Sequence, residues 1–370
     1  MTNQNTTRNN NPGPARGVEV IEVTGGVDTH ADTHTAAALD QIGGLLGTAT
    51  FPATAAGYRD LASWLAGFGP LARVGVEGTG SYGAGLTRHL TAAAVEVVEV
   101  TRPNRADRRH RGKTDTLDAV NAARAALAGT ATGTPKTRDG IVESIRVLHV
   151  ARRGAVKART ASRNEFAGLL VTAPEPIRAA LTPLTPKQRA RTAAGYRPGP
   201  VADPGHATKT ALRALARRIQ HLTTEITDLD NDLAALTQQA APQLLHEFGI
   251  GTDTAAQLLI TAGDNPDRLH SEASFAAVCG VSPVPASSGR TDRHRLNRGG
   301  DRQANRALHT IALTRIRYDD DTKAFIARTT ATGKTPKEAI RVLKRYLARR
   351  IYRLLTNPSP PGTTPLAITA

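Results

Sequence analysis

Apolar and polar positions along the first third of the chain switch between two periods. The run VEVIEVTGGVD at 18–28 is β-branched and short, THTAAALD follows at 33–40 after a brief turn, and GLLGTATFPAT follows at 44–54 after another. Together they predict a meander of three antiparallel strands. AAGYRDLASWLAGFG then places Leu61, Trp64 and Leu65 at helical spacing. ARVGVEG predicts a short buried strand, SYGAGLTRHLTAAA a helix, VEVVEVT another strand, and the Ala-rich DTLDAVNAARAAL from Asp115 a further helix. Three meandering strands followed by alternating helix and strand is the element order of a ribonuclease-H-like α/β fold. A doubly wound dinucleotide fold would put a Gly-rich turn and its crossover helix directly after the first strand, and GVDTHADTH is no such turn.

The rest of the chain reads as all-α. GIVESIRVLHVARRGAVKARTASRNEFAGLL, from Gly140, predicts a basic helix, whereas 172–205 is rich in Pro and Gly and is expected to be irregular. Leu212, Leu215, Ile219, Leu222, Ile226, Leu229, Leu233 and Leu236 step by 3 and 4 in strict alternation, the seam of a coiled coil. Its partner is either the chain's own basic helix folded back or the same helix of another subunit; a coiled coil that spaces two domains and helps oligomerise is expected. Further on, LLHEFGIGTDTAAQLLITAGD has the form of a helix-hairpin-helix element, with Gly249 and Gly251 in the turn and the next helix's N–H groups free to face a phosphate. The predicted organisation is a disordered lead over 1–16, an α/β domain over 17–135, a helical linker and coiled coil over 136–242, a helical C-terminal domain over 243–356, and a disordered tail over 357–370.

Charge adds a partner to this picture. There are 48 Lys and Arg against 32 Asp and Glu, a formal net charge of +16 over 370 residues, and most of the cations are arginine. Such a balance points to a polyanion, with nucleic acid first. The Ala-, Thr-, Gly- and Arg-rich composition also carries the mark of GC-rich coding, so charge alone does not decide it. Cys279 is the single cysteine, which excludes an intramolecular disulfide or a Cys-based zinc cluster and fits a reducing cytoplasm. It is expected to be a small buried hydrophobe. The polar first residues lack the apolar stretch of a signal peptide, and no run is long and apolar enough to span a membrane.

The candidate chemistry is carboxylate chemistry. Metal-assisted phosphoryl transfer needs several acids converging from rigid elements. Asp28 lies at the end of the first strand, Glu77 at the end of the fourth, and Asp115 and Asp118 open the helix after the fifth, three residues apart and on one side of it. Each has an ordinary alternative: a turn residue, a helix-entry acid, or an N-cap Asp115 with Asp118 three positions on. Arg102, Arg105, Arg108, Arg109, Arg111 and Lys113 stand immediately before the last pair. His30 and His34, near Asp28, offer a zinc alternative. In the second half, PASSGR presents Ser287 and Ser288, followed by Arg290, Arg293, Arg295 and Arg298, which could bring charge to a phosphate or form a solvated basic face. His294 is the nearest imidazole to those serines along the chain.

GGVDTHADTHTAAALD, VGVEGTGSYGAGLTRHL and RPNRADRRHRGKTDTLDAVNAARAAL resemble the N-terminal DEDD domain of IS-one-ten-type insertion-sequence transposases, which are related to pilin-gene invertases. GIGTDTAAQLLITAGD and FAAVCGVSPVPASSGRTDRHRLNRGGDRQANRAL resemble their C-terminal domain, so the resemblance runs from about residue 18 to 350. It implies a RuvC-like domain binding Mg2+ through Asp28, Glu77, Asp115 and Asp118. It also implies a C-terminal serine that attacks DNA: Ser288, directly before the glycine, with Ser287 open as the other choice. The basic residues named above are then nucleic-acid contacts. Further implied are double-stranded donor and target DNA, a structured guide RNA (the bridge RNA) that pairs with both, and dimers that pair into tetramers in which acids of one subunit share a composite site with the serine of another. A cytoplasmic, nucleoid-associated prokaryotic protein is expected, with no membrane partner. Two rivals stand beside this reading: a structure-selective nuclease that uses the same acids to activate water with no covalent step, and a non-catalytic nucleic-acid-binding scaffold. The absence of a GxxxxGK[ST] loop agrees with a reaction that needs no ATP.

Overall fold

The computed structural model describes residues 22–100, 114–287 and 294–356. The chain divides into two compact units, Met1–Lys136 and Thr137–Ala370. Apart from Lys136, the stretches 136–242 and 243–356, expected as separate segments, fall in the second.

The first unit is built on a five-stranded sheet. In chain order its elements are β1 (Val23–Thr29), β2 (Thr33–Leu39), β3 (Leu45–Pro52), α1 (Ala55–Ala66), β4 (Leu71–Glu77), α2 (Ala84–Ala92), β5 (Glu96–Val100) and α3 (Asp115–Leu127). The spatial order is β3-β2-β1-β4-β5. The first three strands form the antiparallel meander, with Asp28 opposite Thr35 and Thr29 opposite His34. β4 then runs parallel to β1, with Val27 beside Val76, and β5 runs parallel to β4.

Every residue of the central strand β1 is buried, because the sheet is covered on both faces. Val23, Val27, Ala36 and Ala38 pack with Leu61 and Leu65 of α1 and Leu86 and Leu90 of α2. The other face carries α3, where Ala37 packs with Ala119 and Val120. Glycine makes that approach close. A Cβ on Gly26 would lie 2.1 Å from the backbone nitrogen of Ala123, and one on Gly75 would lie 2.5 Å from the carbonyl oxygen of Ala122. Only hydrogen side chains on β1 and β4 let the helix backbone rest on the sheet.

Among the described residues the second unit is helical apart from one small hairpin. Its elements are α4 (Ile141–Val171), α5 (Glu175–Leu181), α6 (Pro186–Ala194), α7 (Pro204–Ala240), α8 (Pro242–Leu245), α9 (Thr252–Ala262), a 3-10 turn (Pro266–Leu269), α10 (Glu272–Val278), β6 (Val284–Pro285), β7 (His294–Arg295), α11 (Arg302–Tyr318), α12 (Asp320–Ala331) and α13 (Pro336–Thr356). The long helices α4 and α7 pack along one another. Along the predicted seam of α7, Leu212, Ile219, Ile226 and Leu233 are buried, while Leu215, Leu222, Leu229 and Leu236 are half-buried. A partner for the seam thus comes from within the chain.

The stretch expected to be irregular is so over 195–203, but it also holds the two short helices α5 and α6. Pro186 sits in the first turn of α6, where a missing N–H costs no helical hydrogen bond, and Thr185 with Gln188 forms a capping box ahead of it. Ile177, Leu181, Ala190 and Ala193 close a small core with Phe166, Leu170 and Leu212. The proline content marks helix starts here. Cys279 is buried in the larger core of this unit, as a small hydrophobe, with Phe275, Leu258 and Leu308.

Candidate active site

Side-chain alternation along the strands aims the acids. Gly26 and Gly75 face α3, so two residues further along each strand Asp28 and Glu77 are directed to that same face. Both lie at the C-terminal ends of adjacent parallel strands, at the register set by Val27 beside Val76. The hydroxyl of Thr29 donates to the carbonyl of Glu77 at 2.8 Å and ties the two strand ends together. Asp28 is buried, and Glu77 is half-buried.

α3 brings the other two. Its N-cap is Thr114, whose hydroxyl accepts from the N–H of Leu117 at 3.2 Å. Neither Asp115 nor Asp118 is therefore the cap, the ordinary role open to Asp115 in the sequence. Both sit in the first turn, where the helix dipole favours negative charge. The side chain of Asp115 is about half exposed, whereas Asp118 is buried to 2%. His30, two residues beyond Asp28, completes the cluster. Its Nε2 lies 3.2 Å from Oδ2 of Asp28 and 3.3 Å from Oδ1 of Asp115.

One ligand atom from each of Asp28, His30 and Asp115 lies within 4.8 Å of the others, the spacing of donors around a single cation. Burial pushes the Asp28 carboxyl above the ordinary carboxylate range, and the charges of Asp118 and Asp115 push it the same way, while His30 opposes them. A divalent cation relieves such crowding, so the donor set fits one. Asp118 is near enough to be felt by Asp28 and stands one helical turn behind Asp115. Glu77 lies outside the group of three, one strand across from Asp28.

The zinc alternative of His30 with His34 does not assemble. His34 is turned to the other side of the sheet, where its ring stacks on Tyr58 of α1 at 5.5 Å and 7°. Burial lowers its pKa, its Nδ1 is 3.0 Å from the carbonyl of Thr33, and its buried Nε2 has no hydrogen-bond partner among the described residues.

A transposase family, the DEDD IS110 type, has a sequence model that matches residues 25–173, and the transposase IS116/IS110/IS902 family matches residues 242–327. The chain belongs to the IS110-type transposase family. An insertion element IS900 uncharacterized 42 kDa protein of Mycobacterium paratuberculosis is 29% identical over 163 residues, which are 43% of this chain and 41% of that protein. An insertion element IS110 uncharacterized 43.6 kDa protein of Streptomyces coelicolor is 33% identical over 117 residues, 31% of this chain and 28% of that one. The matched segments span under half of either relative.

The second region that this IS110-type chain was expected to use is the Ser–Gly loop. Ser288, Arg290 and Arg293 lie outside the described residues, as do Arg102, Arg105, Arg108, Arg109, Arg111 and Lys113. Ser287 is exposed just after β6, and Arg295 and Arg298 are exposed on and after β7. β6 pairs with β7 through Val284 and Arg295. The base of this hairpin is clasped by residues that the sequence reading did not single out. Nδ2 of Asn305 on α11 donates to the carbonyls of Cys279 and Gly280, each at 3.0 Å. Its Oδ1 accepts from Nζ of Lys344 on α13 at 2.6 Å. Asp301 caps α11, accepts from the hydroxyl of Thr261, and its N–H donates to the carbonyl of Val278 at 2.6 Å. Asn305 falls within the quoted motif; nothing in its spacing distinguishes it from a surface helix residue.

The expected helix-hairpin-helix turn has Gly249 at φ +84°, as a tight turn requires. The start of α9 is already engaged. Thr254 accepts from the N–H of Gly251, and Asp253 in the first turn lies 3.1 Å from Nε2 of His149 and accepts from Arg152 at 2.8 Å.

Proposed function

We propose that this chain is the DNA transposase of an insertion sequence, a site-specific recombinase whose α/β unit is ribonuclease-H-like and binds a divalent cation, Mg2+ or a congener, through Asp28, Asp115, Asp118 and Glu77. The observation that carries the reading is the meeting of Asp28 from the end of β1 with Asp115 from the mouth of α3, beside His30, within 4.8 Å. The strand order, with β4 and β5 running parallel to the first strand of a meander, supports the ribonuclease-H-like assignment. Family membership supports DNA as the substrate.

In this reading the cation, when bound, offsets charge on the scissile phosphate and on the departing oxygen. Asp28, held in the sheet, and Asp115 and Asp118, held on a capped helix turn, fix that point rigidly against the sheet. Ser288, or Ser287 beside it, attacks the scissile phosphorus. A serine–phosphate ester forms, the bond to the departing sugar oxygen breaks, and that oxygen leaves as a hydroxyl carrying the serine's proton. After strand exchange a sugar hydroxyl reverses the ester, so the bond energy is conserved. The exposed Arg295 and Arg298, with their neighbours in the loop, supply positive charge around the phosphate. We further propose that a structured guide RNA sets the DNA target by base pairing, that the α4–α7 arm acts as the coiled coil, and that the protein works as a dimer that becomes a tetramer on DNA.

The test uses the full chain with its flanking non-coding RNA and donor and target duplexes. Asp28→Asn and Asp115→Asn are expected to abolish strand cleavage, and Ser287→Ala with Ser288→Ala to abolish protein–DNA adducts resolved on denaturing gels. Continued cutting by the double serine variant makes the protein a water-using nuclease. Full cleavage by both acid variants overturns the role given to the acids, and DNA binding with no cleavage by the wild type makes the protein a scaffold. RNA co-purified with the protein and sequenced tests the guide.

A further inference from the structure

We propose that His30 is a direct nitrogen ligand of the cation held by Asp28 and Asp115, and that the site therefore takes an imidazole-tolerant ion such as Mn2+ in preference to Mg2+. This deepens the proposed function and rests on its reading of those two acids as metal ligands.

The backbone puts His30 where a ligand is needed. Its N–H donates to the carbonyl of Thr33 at 3.0 Å, which closes the turn between β1 and β2. The residue is thus a fixed corner of the sheet. Two positions after Asp28, it projects to the same side, toward the mouth of α3.

The ring makes an arrangement that one proton satisfies poorly. A single nitrogen, Nε2, is nearly equidistant from oxygens of two carboxylates on separate elements, at 3.2 and 3.3 Å. One N–H points along one direction, so it serves one of these oxygens well and the other badly. A cation lying among the three atoms serves all of them at once, with the proton moved to Nδ1. His30 and Asp115 keep 42% and 54% of their side-chain surface exposed, which leaves an entry path. Asp28 at 9% anchors the closed side.

The donor types decide the ion. Mg2+ takes oxygen ligands in strict octahedral geometry and keeps its waters. Imidazole suits later divalent ions, and affinity for a mixed nitrogen–oxygen site rises from Mn2+ onward across the first transition row. Two aspartates alone would leave the choice to Mg2+; the added imidazole tilts it.

The full chain, stripped of metal with EDTA and free of nucleic acid, is titrated with Mn2+ and followed by water-proton relaxation, and the bound Mn2+ is examined by pulsed electron paramagnetic resonance. The expected result is saturable binding with a directly coordinated 14N coupling, which becomes a 15N coupling in protein labelled with 15N-histidine and disappears in His30→Gln. His30→Gln is further expected to weaken Mn2+ by about tenfold or more, the scale of lost metal-site interactions, and Mg2+ measured by competition by less than about threefold. Bound Mn2+ without a nitrogen coupling overturns the proposal, as does a His30→Gln variant that binds Mn2+ like the wild type. If Asp28→Asn still abolishes binding in those cases, the failure is confined to His30. Absence of saturable Mn2+ binding to the wild type overturns both the role of His30 and the metal reading beneath it. The labelled wild-type sample needs no substitution, so the test survives a variant that does not fold.

Discussion

Gly26 on β1 lies under Ala123 of α3 so closely that a Cβ there would stand 2.1 Å from the backbone nitrogen. The clash is with main chain, which cannot swing aside. Gly26→Val is expected to push α3 off the sheet, destabilise the first unit by about 3 kcal/mol, and carry Asp115 away from Asp28. Thermal melts and Mn2+ titration check it together. A loss of stability with cation binding intact would refute the idea that this contact sets the site.

Asp28→Asn is expected to raise the melting temperature of the metal-free protein. Burial and the neighbouring acids hold the Asp28 carboxyl above its ordinary pKa, so its ionised form is a cost at neutral pH that asparagine does not carry. The same variant is expected to lose the proposed cation. Adding Mn2+ should therefore raise the melting temperature of the wild type and leave Asp28→Asn unmoved, by mass action. Scanning calorimetry with and without the ion gives both comparisons.

Much of this was legible in the chain. The meander, the alternation after it, and the placing of Asp28, Glu77, Asp115 and Asp118 at element ends follow from period and polarity alone. What periodicity does not carry is contact across elements. Gly26 and Gly75 read as weak points in strands until the helix above them is seen. His30 has no signal separating it from His34, yet the turn between β1 and β2 sends their rings to opposite faces. The Pro-rich stretch is ambiguous because proline both ends helices and begins them; Thr185 with Gln188, and Asp203 before Pro204, mark the starts. Thr114 and Asp115 are both good caps by residue type, and the sequence alone does not tell which of the two stands outside α3.

Asn305 and Lys344 are expected to be coupled. Lys344 is 8% exposed, and its ammonium donates to Asn305. Asn305→Ala removes that acceptor and also frees the carbonyls of Cys279 and Gly280, at a cost of about 2–3 kcal/mol. Lys344→Met keeps the packing and removes the buried charge, so the double variant should be less destabilised than the sum of the singles by about 1 kcal/mol or more. Urea unfolding of the four proteins measures it. Strict additivity would sever the link between α13 and the serine hairpin.

Stability at acid pH should report Asp253. The hydrogen bond from His149 holds this carboxyl below its ordinary value, with Arg152 and Arg306 adding to the effect against partial burial. A carboxylate with a lowered folded pKa contributes stability above its unfolded pKa, about 3.9, and loses it as pH falls through the folded value. The wild type should therefore lose stability below about pH 4 more steeply than Asp253→Asn, in melts at constant ionic strength. Parallel acid limbs would remove Asp253 from the account.

That carboxylate also changes what the start of α9 can do. A bare helix mouth after a glycine turn attracts polyanions, but this one carries an internal counter-ion on its first turn, clamped there by an imidazole and a guanidinium from α4. A phosphate backbone would have to compete with this carboxylate for the amides and for Arg152. Whatever it meets outside, in the folded chain the turn braces the long arm to the core of its own unit.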